Sequence, residues 1–204
     1  MSKIGVINYG VGNLQSVKNS LDFLGIPNEI VDKSQEISSF DKIILPGVGA
    51  FGAAIKKLND LGFTEEIRKF SSQNKPILGI CLGMQLLFDE SYEHGHHQGL
   101  GLIKGRVLPF NEKIKNLPLP QIGWNNITKV GVSPILKNVE DNSCFYFVHS
   151  FYCEPEKKTA TIASSDYGIK FAAIINENNI FGCQFHPEKS QSAGLHILKN
   201  FSSL

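Results

Sequence analysis

KPILGICLGMQLLF, residues 75–88, runs an apolar segment straight into a helical pattern, with Cys81 at the junction. Residues 76–80 have the length and composition of a buried strand, and residues 82–88 begin a helix. Gly79 and Gly83 flank the cysteine at minus two and plus two. This is the thiol counterpart of the G-x-S-x-G elbow, a sharp strand-to-helix turn that crowds its neighbours and favours residues without a Cβ. The same alternation recurs upstream. Residues 4–8 read as a strand ending in the turn Gly10-Val11-Gly12; Leu14, Val17, Leu21 and Leu24 then recur at helical spacing, and Gly25 is a stop signal. Residues 28–31 and 42–45 read as further strands, the latter stopped by Pro46-Gly47, and residues 53–61 and 64–70 as helices. Strands alternating with helices predict a parallel sheet covered on both faces.

The second half changes character. Short β-rich runs at 106–109, 125–130, 144–148, 159–163, 171–176 and 180–184 are broken by Gly, Pro and Asn, and residues 193–201 close as an amphipathic helix. The expected fold is α/β, with a mixed, mostly parallel central sheet flanked by helices and antiparallel strands added after the parallel core. Residues 111–120 carry two prolines and read as a surface loop. No linker interrupts the pattern, so one domain over 1–204 is the expected organisation.

Composition narrows the classes. The 204 residues carry 20 basic and 19 acidic side chains, a formal charge of +1. That balance argues against a nucleic-acid-binding domain, and with only Arg68 and Arg106 as arginines, bidentate recognition of phosphates is scarce. The start lacks the apolar segment of a signal peptide, and no stretch is long and apolar enough to span a membrane. The four cysteines are widely spaced with no CxxC pair, which fits reduced thiols in a cytoplasmic protein. Cys144, Cys153 and Cys183 read as core cysteines.

Cys81 has a different setting. A helix N-terminus offers unpaired N–H groups and partial positive charge, which favour a thiolate, and the Leu82 N–H would face a developing oxyanion. A cysteine nucleophile needs a base, and the base needs an orienting group. FGCQFHPEKS, residues 181–190, supplies His186 and Glu188 for those roles. Leu45-Pro46-Gly47-Val48-Gly49 follows a strand whose carboxyl end is where ligands bind in such sheets, and its glycines free the Val48 N–H to point at substrate. Each element has a plainer alternative: a buried core cysteine, a capping histidine, a simple turn. Spacing leaves open whether His186 reaches Cys81, more than 100 residues away. His94-Gly95-His96-His97 invites a metal reading, but in a polar segment it reads as a solvated loop.

PGVG, GICLGMQLLF and FHPEKS, in that order and spacing, resemble the class I (triad) glutamine amidotransferases, and the resemblance covers essentially the whole chain. Within that family, NYGVGNLQSV (8–17), PGVGAFG (46–52), LPLPQIGWN (117–125), FYFVHSF (145–151) and HPEKS make the chain similar to the glutaminase subunits of imidazole glycerol phosphate synthases. The resemblance implies a flavodoxin-like fold and a Cys-His-Glu triad of Cys81, His186 and Glu188. It implies oxyanion donors in the Gly47-Val48 loop and at Leu82, and glutamine held by Gly49, Gln85, His149, Ser150 and Phe151. It places Asn13, Trp124, Tyr146 and Lys189 against a synthase (cyclase) subunit, partner in a heterodimer. That partner would receive ammonia and convert a phosphoribulosyl-formimino intermediate into imidazole glycerol phosphate and an aminoimidazole carboxamide ribotide, a step of histidine biosynthesis. Hydrolysis would be switched on when the partner binds its own substrate, and no cofactor or metal is implied. Two departures stand out: Gln121-Ile122 where His-Met is common before GWN, and Phe151 where a tyrosine is common. A paralogous glutaminase serving another amidating partner, such as one of surface-sugar biosynthesis, and a non-catalytic binding module of the same fold are the alternatives.

Overall fold

The computed structural model describes residues 3–110, 114 and 117–204, so the loop expected at 111–120 falls partly outside the described residues. The first half follows the expected alternation: β1 (Ile4–Ile7), α1 (Leu14–Phe23), β2 (Asn28–Val31), β3 (Lys42–Gly47), α2 (Phe51–Asp60), α3 (Phe63–Ser72), β4 (Ile77–Cys81) and α4 (Leu82–Leu86). Then come β5 (Phe88–Ser91), β6 (His97–Gln98), β7 (Ile103–Pro109), β8 (Gln121–Asn126), β9 (Thr128–Lys129), β10 (Cys144–His149), β11 (Phe151–Pro155), β12 (Thr161–Asp166), β13 (Lys170–Glu177), β14 (Ile180–Cys183) and α5 (Gln191–Ser202).

The described strands form a central sheet in the order β2-β1-β3-β4-β14-β13-β12-β9. The five strands from β2 to β14 are mutually parallel. β13, β12 and β9 continue the sheet in antiparallel pairing. The mixed sheet of the sequence reading is thus present, flanked by helices. Strand alternation sorts the core into two layers. Ile4, Val6, Ile44 and Leu78 face α1 and α5, packing with Val17, Leu21, Ile197 and Phe201. Ile7, Ile43, Leu45 and Ile77 face α2 and α3, packing with Phe51, Leu58, Phe63 and Phe70. Burial on both faces is why these strands read as continuous apolar runs rather than alternating ones.

Two smaller sheets, β10-β8 and β11-β7-β5-β6, stand apart from the central one. β5, with sequence FDES, and β6, with sequence HQ, are too short and polar to carry a period and were not expected. Other expectations need correction. β3 does not stop at Pro46: Pro46 and Gly47 pair with Ile80 and Cys81 of β4, and β1 has already left the other side after Ile44, so the missing proline N–H breaks no ladder there. α4 does not run on to Phe88. The carbonyls of Leu86 and Leu87 accept from Leu100, Leu102 and Ile103, which diverts the chain into β5 after little more than one turn. Cys144 is exposed, not a core cysteine; it opens β10 on the outward side of an alternating strand.

Candidate active site

The carboxyl ends of β3, β4 and β14 meet at one edge of the central sheet. Cys81 ends β4 and starts α4 with φ 54° and ψ −112°, a strained backbone for a residue with a side chain. The flanking glycines explain how the turn fits. A Cβ on Gly83 would lie 1.7 Å from the Leu45 carbonyl oxygen, and one on Gly79 would lie 2.7 Å from the Gly83 backbone. Helix and strands therefore approach more closely than any side chain permits, and Cys81, 6% exposed, lines a cleft.

β14 delivers the second group. Beyond Cys183 the chain continues to His186, and a 3₁₀ turn, Pro187–Lys189, folds the Glu188 carboxylate back to the ring. His186 Nδ1 lies 2.8 Å from Glu188 Oε1, with both side chains buried. That leaves Nε2 for the Cys81 side chain, which lines the same cleft as His186. The turn is anchored through Ser190, whose hydroxyl donates to the His186 carbonyl at 2.6 Å and accepts from the Tyr146 N–H at 3.0 Å. Burial by itself would lower the His186 pKa. The hydrogen bonds to Cys81 and Glu188, and the charges those groups carry, outweigh it and raise the value to about 10. An imidazole that stays protonated beside a thiol is the setting in which a thiolate forms.

The cleft in front of Cys81 has a volume of about 480 Å³, in the range of small-molecule sites. Val48, Gly49, Leu82, Gln85, His149, Ser150, Phe151 and His186 all line it, so residues dispersed from 48 to 186 in the chain converge on one space. Gly47 and Glu188 are not among the lining residues. Gly47 lies beneath, where a Cβ would be 2.6 Å from the Tyr9 hydroxyl. The Phe151 carbonyl accepts from His149 Nδ1 at 2.7 Å and from Gln85 Nε2 at 3.2 Å. Burial lowers the His149 pKa to about 4, so its ring is neutral at ordinary pH and its Nε2, buried without a partner, is an acceptor.

Glu93 and His94 also line the cleft; Glu93 was missed, and His94 was read as part of a solvated loop. They belong to the stretch between β5 and β6, where no local pattern marks a cleft wall. Glu93 is the one carboxylate among the described lining residues, and it accepts from the Phe51 N–H at the start of α2. The histidine segment is accordingly not just a solvated loop: His97 pairs in β6, His96 contacts Glu90, and His94 stands edge-on to Phe151. Among the described residues no group of three or more His, Cys, Asp or Glu side chains is arranged to hold a metal ion.

Of the expected partner-facing residues, three cluster. Trp124 on β8 and Tyr146 on β10 are paired in register with ring centroids 6.0 Å apart, and the Lys189 ammonium lies 5.9 Å from the Tyr146 centroid. Ile122, 63% exposed, and Trp124 extend an apolar face outward. Asn13 is the N-cap of α1, accepting from the Ser16 N–H. Gln121 is buried opposite His149, at the inner side of the same ribbon.

The model of the glutamine amidotransferase class-I family matches residues 5–203. The chain belongs to that family. Among curated class-I relatives, the imidazole glycerol phosphate synthase subunit HisH of Chlorobaculum tepidum is 47% identical over 198 residues, covering 97% of this chain and 98% of that one. The subunit of the same name from Bacillus subtilis is 43% identical over 204 residues, covering 98% and 96%. The amidotransferase fold is shared with solved structures at lower identity. A crystal structure of a glutamine amidotransferase superposes with a TM-score of 0.75 at 18% identity over 98% of this chain and 99% of that one. The structure of PurLQS from Thermotoga maritima gives 0.75 at 19% identity over 100% and 99%. Among the described residues no helix is long and apolar enough to cross a membrane.

Proposed function

We propose that this chain is the glutaminase subunit of an imidazole glycerol phosphate synthase and that Cys81, His186 and Glu188 are its catalytic triad. The observation that carries the reading is Cys81 at a strand–helix elbow, sharing the lining of a cleft of amino-acid size with a histidine that Glu188 orients. The nearly full-length similarity to curated subunits of that name supports the choice of pathway.

In this reading the Cys81 thiolate attacks the side-chain amide carbon of glutamine. The oxyanion is met by the N–H groups of Leu82 and Val48. His186 gives its proton to the departing ammonia, leaving a glutamyl thioester on Cys81. It then takes a proton from water, which hydrolyses the thioester to glutamate and frees the thiolate. Glu188 holds the ring so that Nε2 faces the sulfur throughout. Gln85, Gly49 and the 149–151 segment hold the substrate, with Glu93 the group suited to its ammonium end. Trp124, Tyr146 and Lys189 form the face that meets the cyclase subunit, and the ammonia passes across it. The near-neutral charge of the chain fits a division in which the phosphorylated substrate binds the partner.

The deciding experiment mixes the chain with a cyclase subunit and glutamine, and follows glutamate with and without the phosphoribulosyl-formimino intermediate. Stimulation by the intermediate, together with formation of imidazole glycerol phosphate, is the expected result. A stable complex with a different ligase and no response to the intermediate would assign the chain to a paralogous pathway. Loss of ammonia release on Cys81→Ala separates both from a non-catalytic module.

A further inference from the structure

Gln184 belongs to no part of the site described so far, yet it is fully buried beside the reactive sulfur. Its Nε2 lies 3.9 Å from Cys81 Sγ, and its Oε1 lies 3.1 Å from Gln85 Nε2. Gln85 Nε2 also donates to the Phe151 carbonyl. This chain of contacts has only one polarity. A backbone carbonyl can only accept, so Gln85 must turn its NH₂ group toward Phe151. The same NH₂ supplies a second hydrogen toward Gln184, which must answer with its oxygen. The Gln184 NH₂ is then left facing the sulfur. Its backbone N–H is held separately by the Ala173 carbonyl at 2.9 Å, so the side chain is free to serve the relay.

The sulfur also contacts the Val148 carbonyl at 3.7 Å. That oxygen accepts from a thiol S–H and opposes a thiolate; the Gln184 N–H does the reverse. The titratable groups around Cys81 are His186, Glu188 behind it, Tyr9, Cys153 and Cys183, and in the lining of the same cleft Glu93, His94 and His149. Burial, with the Cys81 charge adding to it, raises Tyr9 and Cys153; burial raises Cys183, with the Glu188 and Cys81 charges adding to it. Tyr9, Cys153 and Cys183 therefore stay neutral near pH 7, and Gln184 joins His186 as a side-chain donor beside the sulfur.

We propose that Gln184 is a positioning residue of the glutaminase reaction: its side-chain amide, oriented by the Phe151–Gln85 relay, donates to the Cys81 sulfur and favours the thiolate. The inference rests on Cys81 being the nucleophile.

The test is the pH dependence of iodoacetamide alkylation of the full chain, in a Cys144→Ser background that removes the exposed thiol. Gln184→Met keeps the volume and removes the donor. It should raise the alkylation midpoint by about half to one pH unit, which slows alkylation well below that midpoint by about three- to tenfold. Gln184→Glu keeps the acceptor for Gln85 and should raise the midpoint at least as far; it carries the test if circular dichroism shows Gln184→Met unfolded. Gln85→Leu should also raise the midpoint, and adding it to Gln184→Met should bring no further rise, since both act through one donor. An unchanged midpoint in a folded Gln184 variant, with alkylation abolished by Cys81→Ala, overturns the role of Gln184 and leaves the nucleophile standing. Fast, pH-dependent alkylation that survives Cys81→Ala overturns both.

Discussion

His186 Nδ1 lies 2.8 Å from Glu188 Oε1, although a single residue separates the two in the chain. The Pro187–Lys189 turn brings the carboxylate under the ring, and both side chains are withdrawn from water. A carboxylate in that place fixes the tautomer and stabilises the imidazolium. Glu188→Gln keeps the shape and removes the charge. It should lower glutamine hydrolysis by about 10²–10⁴-fold, measured as glutamate release by the complex. An activity loss below twofold would exclude Glu188 as the orienting group.

The raised His186 pKa also makes a stability prediction. An unfolded histidine titrates near 6.5 and this one near 10, so between those values the ring keeps a proton in the folded state that it loses on unfolding. The stabilisation is complete below about pH 6.5 and is lost as pH rises toward 10. Denaturant unfolding should show stability falling across that window, less steeply in Glu188→Gln and in Cys81→Ala. Identical slopes in all three proteins would contradict the assignment of the shift to these two neighbours.

Gly83 approaches the Leu45 carbonyl so closely that no Cβ fits between them. The obstacle is backbone of a central strand, which cannot step aside as a side-chain tip would. Gly83→Ala should therefore destabilise the fold by about 3 kcal/mol, at the upper end of overpacking costs. Equilibrium urea unfolding reads this directly, and a cost below about 1 kcal/mol would show that the elbow relaxes.

Glu93 and the aromatic face separate two kinds of defect. Glu93→Gln, at the cleft wall, should raise KM for glutamine about tenfold or more with kcat largely kept, the signature of lost substrate binding. A selective fall in kcat would instead place Glu93 in the chemistry.

Trp124→Ala, on the exposed ribbon, should weaken cyclase binding about 30-fold or more in calorimetry, as expected for a central aromatic anchor. Lys189→Ala should uncouple glutamine hydrolysis from product formation more than it slows hydrolysis. Full coupling in that variant would move the ammonia passage away from Lys189.

The elbow around Cys81, the parallel strands of the first half and the helices that cover them were legible because their causes are local. Apolar runs, glycine at crowded positions and helical spacing are all visible within a dozen residues. The short strands of the second half were harder. β5 and β6 exist because neighbouring backbone supplies hydrogen bonds, and the length of α4 is decided by residues 100–103. Cys144 shows the limit of composition: an apolar run such as CFYFVH does not reveal which of its two faces meets water.

By itself, the sequence determined the fold class, the identity of a candidate nucleophile and the pairing of a histidine with a carboxylate two residues on. Tertiary structure alone decided that β14 inserts beside β4 and so carries His186 to Cys81. It also turned Glu93 and His94 into cleft walls and aligned Phe151, Gln85 and Gln184 into a relay of one polarity. The physical reason is the same in each case. Local preferences propagate over a turn of helix or a strand, whereas contacts across 100 residues follow from which strand edges and apolar faces are left to be buried.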